Sequence, residues 1–185
     1  MKIYHSTVLM LKSIRDDFYA NDETWFCPGF HAVAVYRFGV WQMQLPKILS
    51  IPAAILHTIL YIFIRNVYGI ELPKTARVGK RMRIAHQSGI IVHPDTIIGD
   101  NCTIRQNVTL GAATHENVHA APKLGNNVEL GAGAVVVGKV TIGDGVRIGP
   151  NAVVTMNVPE GATVVAPAAR VIMVKALRAH RSATG

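Results

Sequence analysis

From Leu72 onward the chain repeats every six residues. Aliphatic side chains stand at Leu72, Val78, Ile84 and Ile90, resume after a two-residue slip at Ile98, Ile104 and Leu110, and continue at Leu124, Leu130, Val136, Ile142, Ile148 and Val154. Four places after most of them comes a small or apolar residue, as at Met82, Ser88, Cys102, Val108, Val128, Ala134, Val140, Val146 and Ala152. Glycine commonly follows the aliphatic residue directly, as at Gly79, Gly99, Gly131 and Gly149. Neither a helical nor a plain strand period produces this spacing. A parallel β-helix does: each hexapeptide supplies one short strand and a corner, and three of them close a triangular coil. Coils then stack about 4.8 Å apart, with backbone hydrogen bonds along the axis. The aliphatic residue points inward, and Gly or Asn takes corner conformations that branched residues avoid.

The repeat is broken once more between Leu110 and Leu124, where fourteen residues stand in place of six. Eight residues must therefore leave the coil as a loop within 112–122, and loops thrown from a rigid solenoid often carry function. Ahead of the coils the period changes. Helices are expected around His5 to Tyr19 and over Gly29 to Met43, where Phe30, Val33, Tyr36, Arg37 and Val40 recur three and four apart. Ile48 to Ile64 has no charged residue, is bracketed by Lys47 and Arg65, and is interrupted by Pro52 and His57. At barely spanning length it reads as a helix buried between subunits or against the domain; the sharper alternative is a helix resting on a membrane surface. The predicted division is a helical region at 1–69, a β-helix domain at 70–169, and a basic tail at 170–185 that holds Lys175, Arg178 and Arg181.

Lys and Arg outnumber Asp and Glu by 19 to 11, giving a formal charge of +8. That balance fits a polyanionic ligand or an acidic surface. Nucleic acid is not expected, because aromatic residues make up only 6% of the chain and no zinc-finger spacing or aromatic RNA-binding motif occurs. Cys27 and Cys102 are the only cysteines. They argue against a disulfide scaffold and for a reducing compartment. With no secretion signal at the N-terminus, a cytoplasmic protein is expected, the inner face of the membrane being the further option. Cys102 occupies an inward small-residue position and reads as core, not as a nucleophile.

The run from Ile84 to Val154, opening IAHQSGIIVHPDTIIGDNCTIRQNVTLG and continuing LGAGAVVVGKVTIGDGVRIGPNAVV, resembles the hexapeptide acyltransferases, and among them the serine acetyltransferase branch. The likeness covers residues 28 to 172 and includes GFHAVAVYRFGVW. The short N-terminal region and Glu71 with Ile84-Ala85-His86 look most similar to the capsule and colanic-acid O-acetyltransferases of polysaccharide assembly. The resemblance implies left-handed coils, an exception to the usual crossover rule. It also implies acetyl-CoA as co-substrate, no permanently bound cofactor or metal, and a homotrimer with sites between neighbours. His86 takes the position of the family's general base and Glu71, fifteen residues earlier, that of the carboxylate that orients it. With eighteen residues per coil, Glu71 would lie one coil below His86 and three positions along, near a shared corner. Gly131-Ala132-Gly133-Ala134 and Gly149-Pro150-Asn151-Ala152 would flank the pantetheine arm, with Lys139, Arg147 and Arg170 facing the phosphates. His115 and His119 in the loop, and Asp16 in Arg15-Asp16-Asp17, are the candidate acceptor contacts.

Serine acetyltransferases carry Asp before the base and Arg-His before the Pro-Lys that closes the loop, whereas this chain has Ala85 and Ala120-Ala121. The expected reaction is therefore acetyl transfer to a sugar hydroxyl, on a glycan or a lipid-linked sugar of exopolysaccharide or capsule assembly, with serine O-acetylation as the alternative. Two readings of other classes stand beside these. One is a trimeric β-helix zinc enzyme using His86, His115 and His119 between subunits, although the other motifs of such enzymes are missing. The other is a non-catalytic scaffold.

Overall fold

Strands of two or three residues are too short to persist alone and survive only by stacking. The computed structural model describes residues 2–172 and stacks them into five coils of a left-handed parallel β-helix. The first coil holds β1 (Ile70–Glu71), β2 (Arg77–Val78) and β3 (Arg83–Ile84); the second holds β4 (Ile90–Val92), β5 (Ile97–Ile98) and β6 (Thr103–Ile104). The third holds β7 (Thr109–Gly111), β8 (Lys123–Leu124) and β9 (Glu129–Leu130), and the fourth β10 (Val135–Val137), β11 (Thr141–Ile142) and β12 (Arg147–Ile148). In the fifth, β13 (Val153–Val154) and β14 (Thr163–Val164) flank a single bridge from Val158 to Ile142. Every pairing is parallel, giving face A (β1-β4-β7-β10-β13), face B (β2-β5-β8-β11) and face C (β3-β6-β9-β12-β14). The side chain of His115 and the tail residues Lys175, Arg178 and Arg181 lie outside the described residues.

The repeat positions form the core. All of them are buried except Val78, which is half-buried beneath the helices. The two-residue slip is absorbed in β4, where Ile90 and Val92 both point inward and Ile91 points out. Ile90 pairs downward with Ile70, and Val92 pairs upward with Leu110. At the corners, Asn101, Asn107, Asn127 and Asn151 take left-handed backbone angles of 57°, 59°, 55° and 56°. Asparagine tolerates that region better than most side chains.

Three helices cap the start of the prism: α1 (Lys2–Ala20), α2 (Pro28–Gln42) and α3 (Lys47–Phe63), the last running on through a π-helical turn at Ile64–Tyr68. α2 comes so close that a Cβ on Gly29 would sit 2.1 Å from the Ile84 carbonyl oxygen, so only glycine fits there. The unpaired backbone edge of the first coil is satisfied by side chains. Tyr36 donates its hydroxyl to the Ala76 carbonyl (2.8 Å) and accepts from the Val78 amide (3.1 Å). Asn21 donates to the Met82 carbonyl (2.8 Å) and accepts from the Ile84 amide (3.0 Å), reproducing what a neighbouring strand would offer. Arg37 donates to the carbonyls of Val78 and Gly79 and forks onto both oxygens of Asp17, and Asp17 Oδ1 also accepts from the Met82 amide (3.0 Å). Burial pushes the Asp17 carboxyl above its ordinary value, while Arg37 and the Met82 amide pull it back.

The expectation that Ile48 to Ile64 is buried against the domain fits one side of α3 only: His57 and Ile64 are buried, but Ile48, Ile51, Ile55 and Ile59 face solvent. The reason is width. Among the described residues α2 is the one helix packed closely along it.

Because Asp17 is fully buried and joined to Arg37 at 2.7 Å, Asp17→Ala leaves an uncompensated guanidinium over the first coil. We expect it to lower unfolding free energy by about 3–5 kcal/mol, measured by denaturant unfolding; a loss below about 1 kcal/mol would remove the pair from the list of structural determinants.

Candidate active site

Each corner of the prism is a vertical edge, and residues in register across coils form a column along it. Face C turns into face A just beyond Ile84. The pairing of Ile84 with Ile104 sets Gln106 directly above His86, and the pairings of Leu130 with Ile104 and Ile148 continue the column through Ala132 and Pro150. Along this C-to-A edge lies a cleft of about 460 Å³ lined by His86, Arg105, Gln106, Glu129, Gly131, Ala132, Arg147, Gly149, Pro150 and Thr163. His86 stands at its first-coil end with an exposed imidazole. Glycine and alanine form the wall above it, so a slender chain can lie against the backbone. Arg147 reaches the cleft from face C with Glu129 3.8 Å away, and both are exposed.

Of the residues expected from the sequence, His86, Gly131, Ala132, Arg147 and Gly149 meet in this cleft. The others do not. Ala134 is fully buried inside the prism, and Lys139 sits at the turn from face A to face B, on a different edge. Arg170 follows the last coil and is exposed, with no part in the cleft wall. Glu71 pairs with Ile91 on face A, not with the corner that carries His86, because the slip makes the first coil twenty residues long where eighteen were assumed. Its carboxylate instead lies near Tyr61, whose phenol it helps push up after burial. Glu71 thus stands below Ile91, five positions past His86 where three were expected.

The inserted loop leaves after β7 and returns before β8, on the A-to-B edge. His119 is exposed there and bonds the Asp95 carboxylate at 2.8 Å, tying the loop to the corner one coil below. Ala120 and Ala121 are buried as the loop re-enters the coil. Asp16 lies on α1, half-buried, with Arg15 at 3.8 Å, remote from the cleft lining. Cys102 is buried with its thiol against the Gly125 carbonyl at 3.2 Å, and burial pushes its pKa up, as suits core and not a nucleophile. Among the described residues, no three His, Cys, Asp or Glu side chains are grouped to hold a metal ion.

Four cleft residues carry no signal of their own in the sequence: Arg105, Gln106, Glu129 and Thr163. Gln106 matters most, because its side-chain oxygen is buried without a hydrogen-bond partner. A buried acceptor left unpaired costs free energy unless a ligand supplies the donor. The signal was present as the two-residue slip, which places residue 106 and not residue 104 over His86.

A β-helix of hexapeptide coils with a cleft along one edge is the architecture shared with the hexapeptide transferases. The family model "Bacterial transferase hexapeptide (six repeats)" matches residues 121–155. Over 145 residues the chain is 39% identical to the serine acetyltransferase of Synechococcus elongatus, covering 78% of this chain and 57% of that protein. Over 153 residues it is 37% identical to the serine acetyltransferase of Helicobacter pylori, covering 78% of this chain and 81% of the relative. The solved structure of soybean serine acetyltransferase complexed with serine superimposes with a TM-score of 0.72 at 27% identity, covering 88% of this chain and 69% of that one. The chain belongs to the serine acetyltransferase family of hexapeptide transferases. The expected closeness to capsule and colanic-acid enzymes does not emerge from these likenesses.

Replacing Gln106 with leucine removes the orphan acceptor and keeps the volume. Thermal stability should stay level or rise slightly, since an unpaired buried polar atom is lost, while turnover should fall about tenfold to a hundredfold. Unchanged turnover would show that the amide serves the fold alone.

Proposed function

We propose that this protein is an acetyl-CoA-dependent O-acetyltransferase that transfers the acetyl group directly, with His86 as general base. The observation that supports this most is the exposed imidazole at one end of a cleft walled by Gly131, Ala132 and Gly149 and flanked by Arg105 and Arg147. The small residues admit a pantetheine arm and the cations answer its phosphates. His86 takes the proton of the acceptor hydroxyl as that oxygen attacks the thioester carbonyl. The new C–O bond forms, the C–S bond breaks, and the imidazolium returns the proton to the thiolate, giving an acetyl ester and free CoA. No acyl-enzyme is needed, and the protein works in the cytoplasm on this reading.

The working unit is a trimer. The outward column of face A reads Glu71, Ile91, Thr109, Val135 and Val153, with Ile91 and Val153 exposed, whereas face C shows Arg83, Thr103, Glu129, Arg147 and Thr163. An apolar face lying between the His86 edge and the His119 edge is buried when three copies close around an axis. The same closure brings the His86 edge of one copy to the loop edge of the next, completing a site that one chain leaves open.

For the acceptor, the relatives favour L-serine over the sugar expected from the sequence. A sugar hydroxyl stays as a second reading on one observation: Ala85, Ala120 and Ala121 offer no polar atom beyond the backbone where an amino acid's charges need partners.

Release of CoA thiol from acetyl-CoA, followed with L-serine and with a panel of oligosaccharides, tests both readings. We expect release with serine and a drop of about 10²–10⁴-fold in His86→Ala. Release only with a glycan would transfer the assignment to the sugar, and neither release nor CoA binding would leave the non-catalytic reading.

A further inference from the structure

α3 turns Ser50 and His57 to the protein and a row of isoleucines to water, with Thr58 exposed beside them. On the inner side, Ser50 bonds Gln42 at 2.7 Å, Gln42 takes a second bond from Lys74 at 2.8 Å, and His57, only 5% exposed, stacks on Tyr61. On the outer side stand Ile48, Ile51, Ile55, Ile59 and Ile62, exposed by 86, 63, 59, 60 and 44%. Their spacing of three and four residues draws one stripe along the whole helix. Soluble helices place such a stripe against a core. Beside it, Leu49 and Leu56 join Ile3, Phe38 and Trp41 in an apolar groove of about 360 Å³.

Charge says what covers this surface. From Thr24 to Ile70 there is no Asp or Glu, while Arg37, Lys47 and Arg65 are present, and Lys47 and Arg65 bracket the stripe at its two ends. If a second copy packed antiparallel on α3, Lys47 would meet the partner's Arg65; packed parallel, each cation would meet its own kind. No acidic residue in the segment relieves either arrangement, and like charges across an interface select against it. An anionic lipid surface satisfies both halves of the pattern, taking the isoleucines into the acyl boundary and the cations among headgroups. Lys47–Tyr68 has the length and a mean hydropathy of 1.8 that a crossing helix needs. Crossing would also carry the Ser50, Gln42, Lys74 and His57 contacts into hydrocarbon, whereas lying flat leaves them in protein.

We propose that α3 binds the surface of an anionic bilayer as an interfacial helix, its isoleucine stripe inserted and Lys47 and Arg65 on the headgroups. This is independent of the acetyl-transfer reading. The test is flotation of the full chain with vesicles of phosphatidylglycerol and phosphatidylethanolamine, against phosphatidylcholine alone. Wild type should float with the anionic vesicles and be released by about 0.5 M salt. Ile55→Gln/Ile59→Gln, both outward and solvent-facing, should cut partitioning about tenfold or more, with melting temperature and oligomeric mass unchanged. Lys47→Gln/Arg65→Gln should weaken binding and flatten its salt dependence. Failure of wild type to float would overturn the proposal, as would undiminished flotation of the isoleucine variant. A fall in oligomeric mass in that variant would assign the stripe to a second copy, and binding that survives both salt and alkaline carbonate would mean a crossing helix.

Discussion

A β-helix has two ends, and at each a row of backbone groups points at nothing. An uncovered edge frays or recruits another strand. Here the first edge is closed by four side chains, Asp17, Asn21, Tyr36 and Arg37, which bond seven backbone groups between Ala76 and Ile84. The last of those groups is the Ile84 amide, two residues before His86. Gly29 closes on the carbonyl of the same residue. The imidazole thus hangs from the most heavily buttressed turn of the molecule, and the helical region is the part that makes the first coil rigid enough to hold a base in place.

Length bookkeeping then decides which residues meet. Coils of eighteen residues would give a uniform prism; this one has a coil of twenty before the slip and a stretch of twenty-six across the loop, as Ile84–Ile104 and Ile104–Leu130 show. The extra pair in β4 brings Gln106 over His86 and carries Glu71 past it to Ile91. The extra eight residues occupy the opposite edge and leave the cleft wall in small residues. Two insertions in a repeat otherwise free of information thus set the site.

The inward positions could be read from the sequence because burial of an aliphatic residue every six places is a one-dimensional pattern. The closure of the first coil could not, because Asn21, Asp17 and Arg37 reach partners 61, 65 and 41 residues away, and the helical spacing that includes Arg37 says nothing of what it reaches. The cleft was half legible. Gly131, Ala132, Arg147 and Gly149 follow from motif likeness, while Gln106 and Arg105 need the register between coils, and Lys139 and Arg170 stand outside the cleft lining of the single chain. The acceptor divides the two kinds of information. Alanines at 85, 120 and 121 point away from an amino acid, whereas whole-chain likeness points toward serine.

Two apolar surfaces remain on the single chain, and charge separates them. The column on face A is flanked by polar faces, and closed symmetry can bury it against copies of itself. The stripe on α3 sits in a segment with cations and no acids, so its own copies repel where a lipid surface attracts. The stripe lies at the first-coil end, where the helices pack and where His86 stands, whereas the face A column runs the length of the prism. The cleft runs from His86 past Ala132 to Pro150 and Thr163, so on the proposed function a long donor would lie up the coils with its thioester at the helical end. On the proposed orientation that end faces the bilayer, and an acceptor hydroxyl held near a membrane arrives at the base without crossing the donor.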